Sequence, residues 1–171
     1  MAKQATELPW IAEGRQYVGM AEIPGKQHNP TIQNWLRTLK AWWADDETPW
    51  CGTFVAHCCR TANRDIPKDW FRALAWAEAG ERLTAPAYGC IAVFSRTGGG
   101  HVGFVVGRDR AGNLMILGGN QGNKVSIAKF SKDRVVAYVW PSVNGAKNQP
   151  AKDRYQLPVL VSNGAFSTNE A

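Results

Sequence analysis

Residues 49–60 read PWCGTFVAHCCR and hold three of the four cysteines in the chain. Thr48 followed by proline predicts the start of a helix, with Thr48 as the N-cap and the proline at the first helical position. Cys51 then falls in the first helical turn, whereas Cys58 and Cys59 fall deeper, among apolar neighbours. Because burial makes a thiol inert, we expect Cys58 and Cys59 to be packing residues.

Cys51 occupies a position that favours a thiolate. The first N–H groups of a helix have no intrahelical partner, and the helix dipole is positive at that end. Both effects stabilise a thiolate, and the same N–H groups can bind a developing oxyanion. The position therefore predicts a nucleophile. The alternative is one more small core residue, and a basic partner elsewhere in the chain would distinguish the two.

Helical spacing of apolar residues dominates the first half of the chain. We predict helices at residues 9–18, from Pro30 with Asn29 as its N-cap, from Thr48, and at residues 70–79. Loops rich in glycine, proline and acidic residues separate these segments.

From about residue 88 the apolar period changes to two, which is typical of strands. No helical segment separates these strands, so they should form an antiparallel sheet. The predicted fold class is α+β, with N-terminal helices followed by a five-stranded antiparallel sheet. We place the domain at residues 1–141 and interpret residues 142–171 as a C-terminal extension, not a separate domain, of which only LPVLV is expected to dock. The five strands are CIAVFS, HVGFVVG, NLMILGGN, KVSIAKF and RVVAYVW.

The net charge of +6 and the pI of about 9.3 favour a polyanionic partner. Nucleic acid, an anionic membrane and an acidic cell-wall polymer all qualify. No stretch approaches the roughly 20 apolar residues of a membrane span, and the first ten residues lack the apolar core of a secretory signal. We therefore expect a protein that is made in the cytoplasm without a signal peptide and has no stable membrane insertion. If it acts outside the cytoplasm, another route must deliver it. We also expect a monomer.

Among the three histidines, His101 is the candidate partner for Cys51. His57 lies six residues after Cys51 on the same helix, about 240 degrees round the axis, and so points away. His28 lies beside the cap residue Asn29, where a solvent-exposed or capping role is expected. His101 follows RTGGG and opens a strand, a place where functional side chains often lie.

Asn120 is the candidate that orients His101. The strands HVGFVVG and NLMILGGN are joined by the hairpin signal RDRAGN. If Gly107 pairs with Leu114, His101 lies opposite Asn120, and opposed side chains share a face of the sheet. The Asn120 amide oxygen can then accept the imidazole N–H, which leaves the other ring nitrogen toward the thiol. A slip of one residue would turn Asn120 away, and an ordinary turn residue is the alternative.

Cysteine, histidine and asparagine in this order, with helices first and the sheet second, form the papain-type arrangement. The chain resembles the papain-like peptidoglycan hydrolases, the CHAP and NlpC-type cysteine amidases and endopeptidases. It looks closest to a branch associated with bacteriophage endolysins. The resemblance covers roughly residues 9–141. It is carried by GMAEIPG, HNPTIQNW, DDETPWCGTFVAHCC, GCIAVFSR, GGGHVGFVVG, LGGNQGNKVSI and AYVWP.

The resemblance implies a papain-like fold in which Cys51 is the nucleophile, His101 the base and Asn120 the third polar group. Trp50 beside the nucleophile and Gln121 beside Asn120 are candidates for substrate binding. The alternatives are a core tryptophan and an ordinary turn residue.

The chain departs from the family pattern at two positions, one of which is Gly89-Cys90 where these families often have Gly-Asp, a difference without catalytic meaning. Many CHAP enzymes carry a glutamate two residues before the asparagine, where this chain has Gly118. Calcium-binding CHAP domains have alternating acidic residues before the cysteine, whereas DDE is contiguous here. The cluster of His57 with two adjacent cysteines also lacks the spacing of zinc ligands. We therefore expect no metal and no cofactor.

The predicted function is a lysin that cleaves an amide bond in the stem peptide of peptidoglycan, for host cell lysis. Both the N-acetylmuramoyl-L-alanine bond and a bond within the peptide fit. The expected partner is bacterial peptidoglycan in the periplasm, not nucleic acid. The alternatives are an amidase effector secreted between bacteria, a thiol acyltransferase on the same scaffold, and a non-catalytic wall-binding module.

Overall fold

The computed structural model describes residues 6–161, which fold into three α-helices followed by a six-stranded antiparallel sheet. The α+β class is as predicted, with one more strand than expected. No helix within residues 6–161 has both the length and the apolar character that a membrane span requires. The elements are α1 (Pro9–Arg15), α2 (Pro30–Thr38), α3 (Cys51–Thr61), β1 (Gly80–Leu83), β2 (Ile91–Arg96), β3 (Gly99–Arg108), β4 (Leu114–Gly118), β5 (Ser126–Phe130) and β6 (Val135–Pro141), with short 3₁₀ helices at Gly25–Gln27, Ala73–Glu78, Lys132–Arg134 and Lys152–Tyr155.

The strands lie in the order β1-β6-β2-β3-β4-β5. The prediction of five strands is wrong because of β1, a four-residue strand that pairs with β6 from Gly80–Pro141 to Leu83–Tyr138. Only this pairing with a distant part of the chain defines β1 as a strand, so no local apolar pattern could indicate it.

The helix predicted at residues 70–79 is also wrong, because the segment forms the 3₁₀ helix Ala73–Glu78. The indole N–H of the fully buried Trp76 donates to the carbonyl of Trp70 over 2.9 Å. In an α-helix over residues 70–79 that carbonyl would instead accept the backbone N–H four residues later. Burial of the indole thus overrides the local helical pattern.

The start of α2 is as predicted. Pro30 is at the first helical position, and the Asn29 side chain accepts hydrogen bonds from the N–H groups of Thr31 and Ile32. The same Asn29 amide donates to the carbonyl of Ala21 over 2.8 Å. The cap therefore satisfies two N–H groups of the helix and ties α2 to the preceding loop.

A line of aromatic rings fixes α3 between α2 and the sheet. Trp35 of α2 contacts Phe54 of α3 with ring centroids 6.0 Å apart, and Phe54 contacts Phe104 of β3 at 6.3 Å. All three rings are buried. Because core aromatic residues dominate packing energetics, this line holds the beginning of α3 against β3.

The segment after β6 returns to the sheet. The N–H of Arg108, at the end of β3, donates to the carbonyl of Pro158, and the N–H of Leu160 donates back to Arg108. The stretch LPVLV therefore docks, as expected. The prediction that it docks alone is wrong, because Asp65 accepts the N–H groups of Asn144 and Gly145, and the N–H of Tyr88 donates to the carbonyl of Arg154. The division into residues 1–141 and 142–171 stays a prediction, since residues 162–171 lie outside the described residues.

Asp46 is a buried carboxylate that organises the loop before α2. Its Oδ2 accepts hydrogen bonds from the N–H groups of Ile23 and Asn29 over 2.7 and 2.6 Å, and its Oδ1 lies 2.9 Å from His28 Nδ1. Burial alone would raise the pKa of Asp46, but these hydrogen bonds and the charge of His28 lower it below the ordinary value. The carboxylate is therefore bound in its ionised form.

We expect Asp46→Asn to lower the free energy of unfolding at pH 7 by about 2–4 kcal/mol, because buried N–H groups lose a charged acceptor. A carboxyl with a lowered folded-state pKa stabilises the fold above its unfolded pKa, and this contribution is lost as pH falls through the folded value. The difference from wild type should therefore shrink toward about pH 2. Urea unfolding at both pH values measures it, with exposed Asp153→Asn as the control. An equal difference at both pH values would contradict the assignment.

Candidate active site

Helix α3 begins at Cys51, three residues after the predicted N-cap Thr48. Trp50 takes the N-cap position, and its carbonyl accepts the N–H of Phe54 over 3.0 Å. Thr48 belongs to a turn instead, because Asp45 Oδ1 accepts both its N–H (2.6 Å) and its hydroxyl (2.7 Å). The N-cap prediction is therefore wrong, although Cys51 remains in the first turn of the helix.

Cys51 lies at the base of a groove with a volume of about 560 Å³ and is 5% exposed. One wall of the groove is the segment from Phe71 to Ala75, and the other is the β2–β3 hairpin. The residues that line it are Pro49, Cys51, Asp69, Phe71, Arg72, Ala73, Leu74, Ala75, Arg96, Gly99 and Gly100. A substrate in this groove would reach the sulfur from solvent.

Burial raises the pKa of the Cys51 thiol above its ordinary value, although backbone hydrogen bonds at Val102 and Gly52 and the charge of Arg96 act in the opposite direction. The expectation of a thiolate from the helix position alone is therefore wrong. Desolvation outweighs the donors at the helix start, so the resting group is a thiol and needs a base.

The hydrogen bond at Val102 also shows where the sulfur lies. It places the Cys51 side chain against β3, beside the residue that directly follows His101. The ring of His101 is completely buried and stacks on Phe130 with centroids 5.2 Å apart and planes inclined by 4°. Phe94 approaches the imidazole from 6.2 Å. Aromatic packing thus fixes the plane of the imidazole, which belongs to the residue directly before Val102.

Gln121 holds His101 through the ring atom Nε2, which lies 2.9 Å from Gln121 Oε1. The Gln121 amide nitrogen donates to the carbonyls of Ile116 (3.2 Å) and Ser126 (3.0 Å). These bonds orient the amide so that its oxygen faces the imidazole. Because that oxygen only accepts, His101 Nε2 must carry the proton, and Nδ1 is the basic nitrogen of the neutral ring.

Asn120 does not take the role predicted for it. Its side chain is 1% exposed, and within the described residues neither its amide oxygen nor its amide nitrogen makes a hydrogen bond. Its φ of +58° lies in the left-handed region that asparagine tolerates best after glycine. Asn120 therefore shapes the turn that delivers Gln121 to His101, and Gln121 replaces it as the orienting residue.

The end of β4 explains this exchange. Phe104 pairs with Leu117 in the predicted alignment, and the register shifts only toward the far end of β3, where Gly107 pairs with Met115 instead of Leu114. β4 then ends at Gly118, two residues before Asn120. Asn120 thus never reaches the strand position opposite His101.

Gly118 makes room for this arrangement. A Cβ at position 118 would overlap Gln121 Oε1 and lie 3.4 Å from His101 Nε2. The glutamate that many CHAP enzymes carry here therefore cannot coexist with Gln121 in its present place. A glycine at this position, with a glutamine three residues later, is the sequence signal that would have identified Gln121.

Trp50 is a core residue and does not line the groove. It is 1% exposed, its Nε1–H donates to Glu22 Oε2 over 3.0 Å, and its ring closely approaches Gly119. Gln121 is likewise buried and engaged by His101. The structure therefore brings neither of the predicted substrate-binding residues to the groove.

Cys58, Cys59 and Cys90 are fully buried, as expected of packing residues. Burial raises the thiol pKa of all three, to about 12 for Cys90. These three thiols are inert by the same physical argument that makes Cys51 depend on a base.

Within residues 6–161, one group has the composition of a metal site, with His28, Asp46 and Glu47 ligand atoms within 4.8 Å of one another. The Asp46 oxygens already accept two backbone N–H groups, and Glu47 Oε1 accepts the N–H of Gly25 over 2.9 Å. Calcium requires six to eight oxygen ligands. This group does not supply them, and its hydrogen bonds order the loop instead.

We expect ¹⁵N NMR of histidine-labelled protein to show His101 as the Nε2–H tautomer at neutral pH. Gln121→Ala should abolish this preference, because the acceptor at Nε2 is lost. Asn120→Gly, which tolerates the positive φ while deleting the amide, is the matched control and should leave the His101 signals unchanged. The reverse pattern, with Asn120→Gly altering the tautomer and Gln121→Ala sparing it, would contradict the assignment.

The family model described as CHAP domain matches residues 43–120, which include Cys51 and His101 and end directly before Gln121. No curated protein and no solved structure matches the chain. CHAP domains are typically cysteine-dependent amidases and related hydrolases, which indicates peptidoglycan hydrolase activity in general terms. The branch associated with bacteriophages stays a prediction. The match at residues 43–120 is thus to the CHAP family, which the sequence resembles.

Proposed function

We propose that this chain is a peptidoglycan hydrolase that cleaves an amide bond in the stem peptide, with Cys51 as nucleophile and His101 as general base. One observation carries the proposal: Cys51 lines an open groove and bonds the backbone of Val102, the residue after a buried histidine whose Nε2 is fixed by Gln121. Nucleophile, base and orienting group together form the unit of covalent amide hydrolysis.

The reaction begins with proton transfer from the Cys51 thiol to His101 Nδ1. The thiolate attacks the carbonyl carbon of the substrate, and the N–H of Cys51, which has no intrahelical partner, stabilises the oxyanion. The imidazolium then protonates the leaving amine, which departs and leaves an acyl-enzyme. Water gives a proton to His101 and attacks the thioester, and the carboxylic acid product leaves as the thiol regains its proton.

Gln121 acts through His101 and is a positioning residue. Its oxygen keeps the proton on Nε2, so that Nδ1 has a lone pair for the thiol proton. The stacked ring of Phe130 and the complete burial of the imidazole shield its hydrogen bond to Gln121 from water. Low local polarity strengthens the hydrogen bond between His101 and Gln121.

The charge and the shape of the groove support a wall polymer as substrate. The net charge of +6 favours an anionic polymer, and the groove that Cys51 lines is open to solvent. Lysis of the host cell is the biological role that this activity would serve. Mass spectrometry of digested peptidoglycan would identify the bond, either N-acetylmuramoyl-L-alanine or an amide within the peptide.

We expect Cys51→Ala and His101→Ala each to lower the release of peptides from purified peptidoglycan by more than about 1000-fold, because each removes a member of the reacting pair. Cys58→Ala is the matched control: it deletes a buried thiol and should retain most activity. Circular dichroism would verify folding of all three variants. Residual lysis by folded Cys51→Ala at the wild-type rate would refute the proposal.

We expect the rate of Cys51 alkylation by iodoacetamide to keep rising with pH past about pH 9, because burial raises the pKa of this thiol above its ordinary value. Mass spectrometry of the native protein measures the rate at each pH. The fully buried Cys58, Cys59 and Cys90 are internal references and should remain unmodified. A plateau at neutral pH would instead indicate a preformed thiolate and contradict the thiol state inferred for Cys51.

A further inference from the structure

Two arginines face the groove that contains Cys51, Arg96 from the end of β2 and Arg72 from the opposite wall. Asp69 is the single acidic residue among the groove-lining residues of the described chain. Within residues 6–161, neither arginine forms an ion pair with a carboxylate. The groove therefore presents an excess of positive charge to its contents, beside the reacting sulfur.

Arg96 is held in place from behind. Its Nε–H donates to the carbonyl of Gly100 over 3.2 Å, which ties the guanidinium to the β2–β3 hairpin. The side chain is partly buried. A guanidinium anchored through Nε retains its two terminal nitrogens as a planar fork, the geometry that binds a carboxylate through two parallel hydrogen bonds.

The position of Arg96 also fixes how far a bound anion lies from the reaction. Arg96 and Cys51 line the same groove, and the positive charge of Arg96 acts to lower the pKa of the Cys51 thiol. Such an interaction weakens with distance and with intervening solvent. An anion on the Arg96 fork would therefore lie close to the amide that Cys51 attacks.

Arg72 differs in each respect. It is exposed, and its guanidinium carbon lies 5.7 Å from the ring centroid of Phe71, which it covers as a cation–π contact. No backbone carbonyl within the described residues accepts a side-chain hydrogen bond from it. Arg72 contributes charge to the groove without a fixed fork, and it is the natural control.

We propose that Arg96 is a specificity-determining residue that binds a free carboxylate of the substrate beside the scissile amide. This inference rests on the proposed function and narrows it to stem peptides that carry an unamidated carboxylate next to the bond that is cut. A substrate with an amide at that position would lose both charge and acceptor geometry at the fork.

The test uses muropeptides that are identical except that each free carboxylate is converted in turn to its amide. For wild type, amidation of one particular carboxylate should lower kcat/KM by about 10- to 100-fold, the range for a lost charge-assisted pair. In Arg96→Gln the ratio of kcat/KM for the carboxylate form to kcat/KM for the amidated form should fall to about one, because only activity on the carboxylate form is lost. Arg96→Lys, which keeps charge without the fork, should retain only part of the ratio, and Arg72→Gln should retain all of it.

The outcomes separate the two proposals. An equal loss on all muropeptides in Arg96→Gln would overturn the carboxylate site and leave the hydrolase intact, since Arg96 would then act only on the thiol. A wild-type ratio near one for each carboxylate would also overturn the site. Failure of wild type to cleave any muropeptide would overturn both. Calorimetric binding to the Cys51→Ala variant gives an independent readout, and Arg96→Gln in that background should weaken binding of the carboxylate form alone.

Discussion

The hydrogen bond between Gln121 Oε1 and His101 Nε2 is the constraint on which the chemistry of this site depends. An imidazole that is fully buried between aromatic rings has little freedom to exchange protons with water, so its tautomer must be set by the protein. The amide can set it because its own nitrogen is committed to the carbonyls of Ile116 and Ser126. Two backbone carbonyls thus determine, through one side chain, which nitrogen of His101 is basic.

The fold supplies the rest by placing the start of α3 against the middle of the sheet. Trp35, Phe54 and Phe104 hold the helix there, and the sulfur of Cys51 comes to lie beside β3. The same packing has a chemical cost, because it removes water from the thiol and raises its pKa. Positioning and activation therefore compete at Cys51, and a basic nitrogen fixed nearby resolves the competition.

The sequence predicted those features that are encoded locally. The Asn29–Pro30 cap of α2, the α+β order and the buried pair Cys58 and Cys59 all follow from neighbouring residues, and the structure contains them. The missed features are set by distant contacts. β1 is a strand only because it pairs with β6, and burial of Trp76 shapes the segment at residues 73–78. Strand alternation favours Asn120 over Gln121 only if it continues past Gly118, where β4 ends. A turn residue with positive φ then shifts the orienting role to the next side chain.

Gly118 and Gln121 together suggest why this site uses an amide where many CHAP enzymes use a glutamate. A carboxylate beside His101 would stabilise the imidazolium and favour a charged cysteine–histidine pair at rest. A glutamine fixes the same tautomer without adding a negative charge, so Nδ1 keeps a lone pair that can accept the thiol proton. The raised pKa of the Cys51 thiol fits this arrangement, since the proton stays on the sulfur until a base removes it. In the proposed reaction that transfer occurs when a substrate fills the groove, where the N–H of Cys51 can stabilise the oxyanion that forms.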